Sequence, residues 1–385
     1  MDLYLIKIIV LFAGLVLSKS NGKQIINLAS HNATGIQTNR LFPVTLPPML
    51  NDQCFDASNQ SGVCYTRLKC RLIGGAYSGI CALGLGACCV VSQSCHKQTS
   101  DKVVYFKNPA HPQVDTSAQL CDMTVNVKDP DVCQVRLDFV DFQLDEPTLG
   151  DCMGDKFKVT ASGGSPLDIP VLCGQNANQH SDYRWHVKVT QIDCKLGYKW
   201  QLLPDNSQSE YPPAPIGCLQ YYTPPAGTVE SFNFGQYINN VDYAICIERQ
   251  ANTCRVTYQA TDNNWSLDST QISKDLAGVG DATCNTDYLL IPGGSGSSVP
   301  VNTPTYDRYC GGRLNWQNGV ALEAPVVSKT HGPIVLWFHS DSIQDPTVSE
   351  GFRLRYEQSS TECTTGPYRD VTGSEAVRNS GAKVV

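Results

Sequence analysis

Two consecutive sets of six cysteines, with matching neighbouring residues, divide most of this chain into two copies of one disulfide-bonded unit. Around the fourth and fifth cysteines, Cys152-Met-Gly-Asp155 corresponds to Cys284-Asn-Thr-Asp287, and Cys173-Gly174 corresponds to Cys310-Gly311. Repetition of both spacing and local sequence predicts two copies of one fold. The first set is Cys95, Cys121, Cys133, Cys152, Cys173 and Cys194, and the second is Cys218, Cys246, Cys254, Cys284, Cys310 and Cys363.

The N-terminus predicts a secreted, extracellular protein. Residues 1–20 contain Lys7, an apolar run over 8–17 and small residues at Ser18 and Ser20, which is typical of a signal peptide. The apolar run is too short to span a bilayer, and no longer run follows, so we expect no membrane span. In an oxidising compartment the 18 cysteines are most simply nine disulfides.

The charge composition argues against nucleic acid or anionic lipid as the main partner. The net charge is -7, only 17% of the residues are charged, and Lys and Arg do not cluster. Three Asn-x-Ser/Thr sequons, at Asn32, Asn59 and Asn264, are candidate glycosylation sites for a secreted chain.

Polar segments separate the predicted units. We interpret residues 21–50 as a polar linker, 195–214 as a proline-rich linker and 366–385 as a polar tail. Residues 51–91 form a separate small unit, which needs disulfides because so short a chain buries little core. Its six cysteines allow 15 pairings, among which the spacing alone does not choose. They are Cys54, Cys64, Cys70, Cys81, Cys88 and Cys89.

Period-two patterns in both repeats predict antiparallel β-strands with one buried face. Apolar residues alternate with polar ones at Val135, Leu137 and Phe139, and a second strand runs through Phe157 and Val159. Many short strands separated by Gly, Pro, Asn and Asp, with no long helical period, predict an all-β protein built from sandwiches. The corresponding apolar positions of the second repeat are Val256, Tyr258, Tyr288, Leu290, Ile334, Leu336, Phe338, Phe352, Leu354 and Tyr356.

These motifs resemble the CUB domain, a secreted β-sandwich module. Cys284-Asn-Thr-Asp-Tyr-Leu and Cys310-Gly311 resemble its central motif and fourth cysteine, and the stretch 136–144 matches in the first repeat. The resemblance implies two tandem CUB-like antiparallel sandwiches, over 95–194 and 215–365. The unit at 51–91 resembles the clip-type modules of arthropod secreted proteins, and we call it the clip-like module.

The resemblances also imply seven disulfides, and the repeat then leaves Cys133 to pair with Cys194 and Cys254 to pair with Cys363. The expected pairs are Cys54 with Cys88, Cys64 with Cys81, Cys70 with Cys89, Cys95 with Cys121, Cys133 with Cys194, Cys152 with Cys173, Cys218 with Cys246, Cys254 with Cys363, and Cys284 with Cys310.

The first repeat is shortened between its last cysteines. The interval runs from Cys173 to Cys194 in the first repeat but from Cys310 to Cys363 in the second, where it contains the apolar strand around Ile334. We therefore expect the first sandwich to lack a strand and to expose hydrogen-bonding edges and core. Either a shortened transcript, which we favour, or a partner that covers the gap would explain this.

Calcium is the candidate cofactor, because many CUB modules bind it with carboxylates from loops at one end of the sandwich. The family's acidic positions fall on Asp268, Asp287 and Asp341 in the second repeat. In the first repeat, Asp145 and Asp155 match, whereas the third position lies in the missing interval. The alternative is that these residues only form turns and cap a strand. The resemblance further implies that a protein partner presents a Lys or Arg to the acidic site.

No catalytic motif is visible in the sequence. The seven histidines form no His-Glu-x-x-His pair, and no Gly-x-Ser-x-Gly nucleophile loop occurs. We therefore expect a non-enzymatic recognition or adhesion protein that binds extracellular proteins. The alternative is a non-catalytic regulator or cofactor of a serine protease cascade.

Overall fold

The computed structural model describes residues 5–11, 52–115, 120–162, 169–176, 184–193, 214–297, 303–345 and 349–361. The regular secondary structure of these residues is almost entirely β, as predicted. One short α-helix, α1 (Arg67–Leu72), begins after Thr66, whose hydroxyl oxygen accepts a hydrogen bond from the Lys69 amide, and one 3-10 turn spans Ala82–Gly84. The linkers, the polar tail, Asn32, Cys194 and Cys363 lie outside the described residues, apart from Ala214 at the end of the second linker.

The described residues form 22 strands, numbered in chain order. They are β1 (Leu5–Leu11), β2 (Gln53–Phe55), β3 (Ser61–Tyr65), β4 (Ala76–Cys81), β5 (Gly86–Val90), β6 (Ser92–Gln93), β7 (Lys97–Thr99), β8 (Val103–Lys107), β9 (Cys121–Asn126), β10 (Val132–Gln143), β11 (Lys156–Ser162), β12 (Arg184–Asp193), β13 (Cys218–Tyr222), β14 (Ala226–Glu230), β15 (Asp242–Ile247), β16 (Arg255–Ser266), β17 (Ala277–Val279), β18 (Tyr288–Ser295), β19 (Tyr306–Gly311), β20 (Val326–Ser328), β21 (Ile334–His339) and β22 (Gly351–Ser359).

The clip-like module is a four-stranded sheet, in the order β2-β3-β5-β4, with α1 beside it. It packs against β8 of the first sandwich. There the Tyr105 hydroxyl donates a hydrogen bond to the Ser61 carbonyl oxygen at 3.1 Å, and the Tyr105 amide donates to the Val91 carbonyl at 2.9 Å. The side chains of Val63, Tyr65 and Val90 are buried, so this small module shares a core with its neighbour.

The second sandwich contains two sheet segments joined at one corner. Their strand orders are β13-β15-β21-β18 and β20-β16-β22-β14. The segments meet where Gly294 and Ser295 of β18 pair with Ser328 and Val327 of β20. β13 runs parallel to β15, and the other neighbours are antiparallel.

The first sandwich has similar strand orders in two separate four-stranded sheets, β7-β9-β1-β11 and β10-β12-β8-β6. β7 runs parallel to β9, as β13 does to β15. The sheet was expected to lack a strand, but it does not. β1, which lies within the expected signal peptide, pairs antiparallel with both β9 and β11. The predicted exposed edges of β9 and β11 are therefore hydrogen-bonded in this structure.

Alternation along the strands places one face of each sheet in the core, as predicted. Ile334, Leu336 and Phe338 of β21 are at most 5% exposed. The predicted inward face of β18 is wrong, however: Leu289 and Ile291 are buried, whereas Tyr288 and Leu290 are only half-buried. The physical reason is that the strand's inward face begins one residue earlier, at the buried Asp287. The other predicted core residues of the second repeat are buried, while Val135, Leu137 and Phe139 of the first are half-buried.

Seven disulfides join described cysteines, and their pairing is the one implied by the resemblances. They are Cys54–Cys88, Cys64–Cys81, Cys70–Cys89, Cys95–Cys121, Cys152–Cys173, Cys218–Cys246 and Cys284–Cys310. Cys133 and Cys254 are also disulfide-bonded. Because Cys194 and Cys363 are not described, their pairing with Cys133 and Cys254 stays a prediction.

Candidate functional site: a carboxylate cluster at one end of the second sandwich

The three acidic residues predicted in the second repeat lie at one end of the sandwich. Asp287 immediately precedes β18, and Asp341 follows β21, the antiparallel neighbour of β18. In such a pair the start of one strand lies beside the end of the other. Asp268 follows β16 and reaches the same end. We call these three residues the carboxylate cluster.

Asp287 is the centre of the carboxylate cluster. Its side chain is fully buried, because it begins the inward face that continues through Leu289 and Ile291. One carboxylate oxygen, Oδ1, accepts a hydrogen bond from the Asp341 amide at 2.7 Å. The other, Oδ2, accepts one from the Tyr237 hydroxyl. The two bonds tie the loop after β21 and the loop before β15 to the same carboxylate.

Tyr237 links Asp287 to Asp268. Its hydroxyl oxygen accepts a hydrogen bond from the Asp268 amide at 3.0 Å while donating to Asp287. Asp268 Oδ2 in turn accepts from the Asp345 amide at 3.1 Å. Tyr237 is itself fully buried, so the ring and its hydroxyl form the floor of the cluster. Nothing in the sequence pattern pointed to this tyrosine, because its role depends on a contact across 50 residues.

The electrostatics of the cluster are unfavourable for three negative charges. Burial raises the pKa of Asp287 to about 7, and the nearby carboxylates of Asp341 and Asp268 add to the increase. Burial also raises the pKa of Asp268, with contributions from Asp345 and Asp341. A buried carboxylate beside like charges favours a proton or a cation.

The donor set fits calcium chemically, since all of the available ligands are oxygens. The geometry is less complete. In the part of the chain that the structure describes, no three His, Cys, Asp or Glu side chains are placed to hold a metal ion together. Asp341 Oδ1 instead accepts a hydrogen bond from the Ile343 amide at 2.8 Å. Coordination by all three carboxylates would need movement of the Asp341 and Asp268 side chains toward Asp287.

The two acidic residues predicted in the first repeat also lie together. Asp145 Oδ2 accepts a hydrogen bond from the Asp155 amide at 3.1 Å, and Asp155 is buried. Gly154 allows this approach, because a Cβ at that position would collide with the Asp145 carboxylate. The third acidic position of the resemblance falls in the shortened interval, so this pair has fewer ligands than the cluster of the second sandwich.

A contact between the two sandwiches adjoins the carboxylate cluster, and the sequence analysis did not predict it. In the loop that also carries Tyr237, the Asn239 amide donates to the Gly150 carbonyl at 2.9 Å, and its side chain donates to the Leu149 carbonyl at 2.8 Å. The next residue, Asn240, donates its amide to the Asp341 carbonyl at 2.8 Å. One loop therefore contacts both the first sandwich and the cluster.

A second set of bonds completes this contact between the sandwiches. The Gln175 amide donates to Asn233 Oδ1 at 2.7 Å, and the Asn233 amide donates to Asn176 Oδ1 at 2.9 Å. Gly174 has a φ of 65°, which favours glycine, and a Cβ there would collide with the Asn233 side chain. The positive φ and the lack of room for a Cβ both require glycine at this position of the contact.

The two described sequons have different surroundings. Asn59 is exposed in a turn with a φ of 60°, whereas Asn264 lies within β16 and is half-buried. Glycosylation at either residue stays a prediction.

In the described ranges, no helix is long and apolar enough to cross a membrane.

Comparison with known families finds a similarity in the second sandwich. Residues 215–359, which form the second sandwich, match the animal CUB domain. Such domains and abundant disulfides are typical of extracellular proteins. The comparisons indicate no enzyme family. The search of curated proteins found no match.

Two solved structures with related modules are similar to this chain. The CUB1-EGF-CUB2 domains of rat MASP-1 share 18% identity, with 68% of this chain and 100% of that chain covered and a TM-score of 0.24. The CUB1-EGF-CUB2 domain of human MASP-1/3 shares 16% identity, with coverage of 67% and 100% and a TM-score of 0.24. The clip-like assignment of residues 51–91, the CUB assignment of the first sandwich and an arthropod origin remain predictions.

Proposed function

We propose that this chain is a secreted, non-enzymatic recognition protein that binds extracellular protein partners through its animal CUB domain. The carboxylate cluster is the proposed contact site, with calcium as its cofactor. The observation that carries the proposal is the convergence of Asp268, Asp287 and Asp341 at one loop-bearing end of the sandwich. Tyr237 bonds to Asp287 and to the Asp268 amide there, and the Asp341 amide bonds to Asp287.

The charge of the cluster supports a cationic ligand. Asp287 is fully buried, and no Lys or Arg side chain is bonded to it among its described contacts. A bound calcium ion would supply the compensating charge and would hold the three loops together. Asp268 and Asp341, which are half-buried, would then present their remaining oxygens to a Lys or Arg side chain of a protein partner.

The size of such a contact predicts weak binding by one module. A single charge-assisted contact buries little area, and stable complexes bury about 1,200–2,000 Å² in total. The first sandwich carries the Asp145 and Asp155 pair on the same chain, and several such modules would raise the overall affinity by multivalency.

The direct test is calcium titration of the full secreted chain by calorimetry. We expect binding by the unaltered chain and loss of that binding in Asp287→Asn. The control variant is Asp275→Asn, which removes an exposed carboxylate of the same sandwich outside the cluster and should bind calcium normally. Absence of calcium binding in the unaltered chain would contradict the calcium-dependent part of the proposal.

The recognition function is tested separately by affinity capture from extracellular fluid on the immobilised chain. Proteins captured in calcium, but neither in chelator nor by Asp287→Asn, would support the proposed site. Capture of a serine protease would favour the alternative role as a regulator of a protease cascade. A chain that captures no protein under either condition would contradict the recognition function itself.

A further inference from the structure

One interior strand of the first sandwich comes from the N-terminus of the chain and not from the first repeat, residues 95–194. β1, residues 5–11, lies between β9 and β11, with seven paired positions on β11 and six on β9. Both pairings are antiparallel. Ile8, at the middle of the strand, lies opposite Val159 on one side and Met123 on the other.

The same position in the second sandwich belongs to β21. This strand lies between β15 and β18 and is antiparallel to both. The interval that carries it, between Cys310 and Cys363, is the interval that is shortened in the first repeat. The strand orders β7-β9-β1-β11 and β13-β15-β21-β18 therefore differ only in the origin of the third strand.

An empty position between β9 and β11 would be costly. Both strands would lose backbone hydrogen bonds along one edge, and unpaired edges recruit other strands. The inward side chains beside the position are also large and apolar. Met123, Val125 and Phe157 are fully buried, and Val159 is 6% exposed. Without a third strand, water would reach this part of the core.

The rest of the described chain offers no replacement strand, because each other described strand is already paired within a sheet. Residues 1–20 are the expected signal peptide, so β1 would be removed when the protein is secreted. The mature first sandwich would then have a strand position with two receptive edges and no strand of its own.

We propose that this position in the secreted chain accepts a β-strand donated by a partner protein. The donated strand runs antiparallel to both β9 and β11 and completes the sheet by β-augmentation. β21 indicates the sequence that fits, since Ile334, Leu336 and Phe338 are buried while Val335 and Trp337 are more exposed. The partner segment is therefore about six residues long, apolar at alternate positions, and free of proline. This surface lies on the first sandwich and goes beyond the proposed role of the carboxylate cluster.

The test combines intact mass with hydrogen exchange on the full secreted chain. The mass establishes whether residues 5–11 are removed. Exchange is then followed in β9 and β11, with β15 and β18 of the same molecule as internal controls. The probe is a synthetic peptide of residues 5–11 with added terminal lysines for solubility. The matched control peptide carries Ile8→Pro, which removes an amide donor from the middle of the strand.

We expect the secreted chain to lack residues 5–11 and its β9 and β11 amides to exchange faster than those of β15 and β18. The peptide should slow exchange in β9 and β11 by about tenfold or more, leave β15 and β18 unchanged, and lose its effect with the proline. Retention of residues 5–11 in the secreted chain would overturn the proposal. The proposal would also be overturned if the β9 and β11 amides were strongly protected from exchange without peptide. The same holds if the peptide did not slow their exchange, or if the proline control peptide slowed it equally.

Discussion

Replacement of Asp287 by asparagine should remove a specific pH dependence from the stability of the second sandwich. Burial and the neighbouring carboxylates raise the pKa of Asp287 from its ordinary value of 3.8 to about 7 in the folded protein. The folded state therefore binds this proton more tightly than the unfolded state does. The contribution is fully present below about pH 3.8 and is lost as the pH rises through about 7.

The magnitude follows from the difference between the two pKa values. At about 1.4 kcal/mol for each pH unit, the unaltered chain should lose up to about 4 kcal/mol of unfolding free energy between pH 4 and pH 8 in chelator. Asp287→Asn has no titrating group at this position and should lack this loss. At low pH the variant should be less stable by about 1–3 kcal/mol, because asparagine offers one oxygen acceptor to two donors, the Tyr237 hydroxyl and the Asp341 amide.

The assay is urea unfolding of the full chain, with hydrogen exchange of β18 as the reporter for the second sandwich, between pH 4 and pH 8. Calcium at about 100 times its dissociation constant should restore about 2.7 kcal/mol to the unaltered chain and nothing to the variant. Equal pH slopes for the two chains in chelator would refute the account of Asp287. A calcium effect of the same size on both chains would show that the ion binds elsewhere.

Three other substitutions test packing within the first sandwich and between modules. Gly174→Ala should weaken the contact between the sandwiches and enlarge the molecule in small-angle scattering. The control Gly79→Ala, at a glycine with a similar φ of 68° but open space around it, should leave the size unchanged. Equal scattering profiles for the two variants would contradict the contact. Burial lowers the pKa of His186 to about 3, so the chain should lose stability as the pH falls below about 6.5. Thermal melts at pH 4 and pH 7 should show a smaller loss of stability in His186→Phe. An unchanged acid sensitivity in this variant would refute the role of His186. Tyr105→Phe removes the hydroxyl that donates to the Ser61 carbonyl and should cost about 1 kcal/mol in urea unfolding; no loss would show that this bond is replaced by water.

The sequence predicted the strands and the disulfide framework well, because both depend on regular spacing. Alternation identified the buried positions of β21 and β22, and the resemblances implied each of the seven pairings between described cysteines. The inward face of β18 was wrong by one residue. A buried aspartate begins that face, and a pattern that reads hydrophobicity alone assigns such a residue to the surface.

The candidate site was predicted only in part. The resemblance named Asp268, Asp287 and Asp341, but it gave no sign that Tyr237 bonds to the Asp287 carboxylate and the Asp268 amide. Nor did it indicate that Asn239 connects the neighbouring loop to the first sandwich. Because such contacts join residues that are far apart in the chain, no local spacing pattern predicts them.

The repeat, the all-β class, the disulfide-rich composition and the shortened interval of the first repeat can all be predicted from the sequence. Each of these features depends only on the composition of the chain and on the spacing of residues along it. Three features required the folded structure: Asp287 is fully buried, the two sandwiches share a contact beside it, and Leu5–Leu11 lies between β9 and β11. The physical reason is that burial, and hydrogen bonding between distant strands and loops, depend on which segments meet in space.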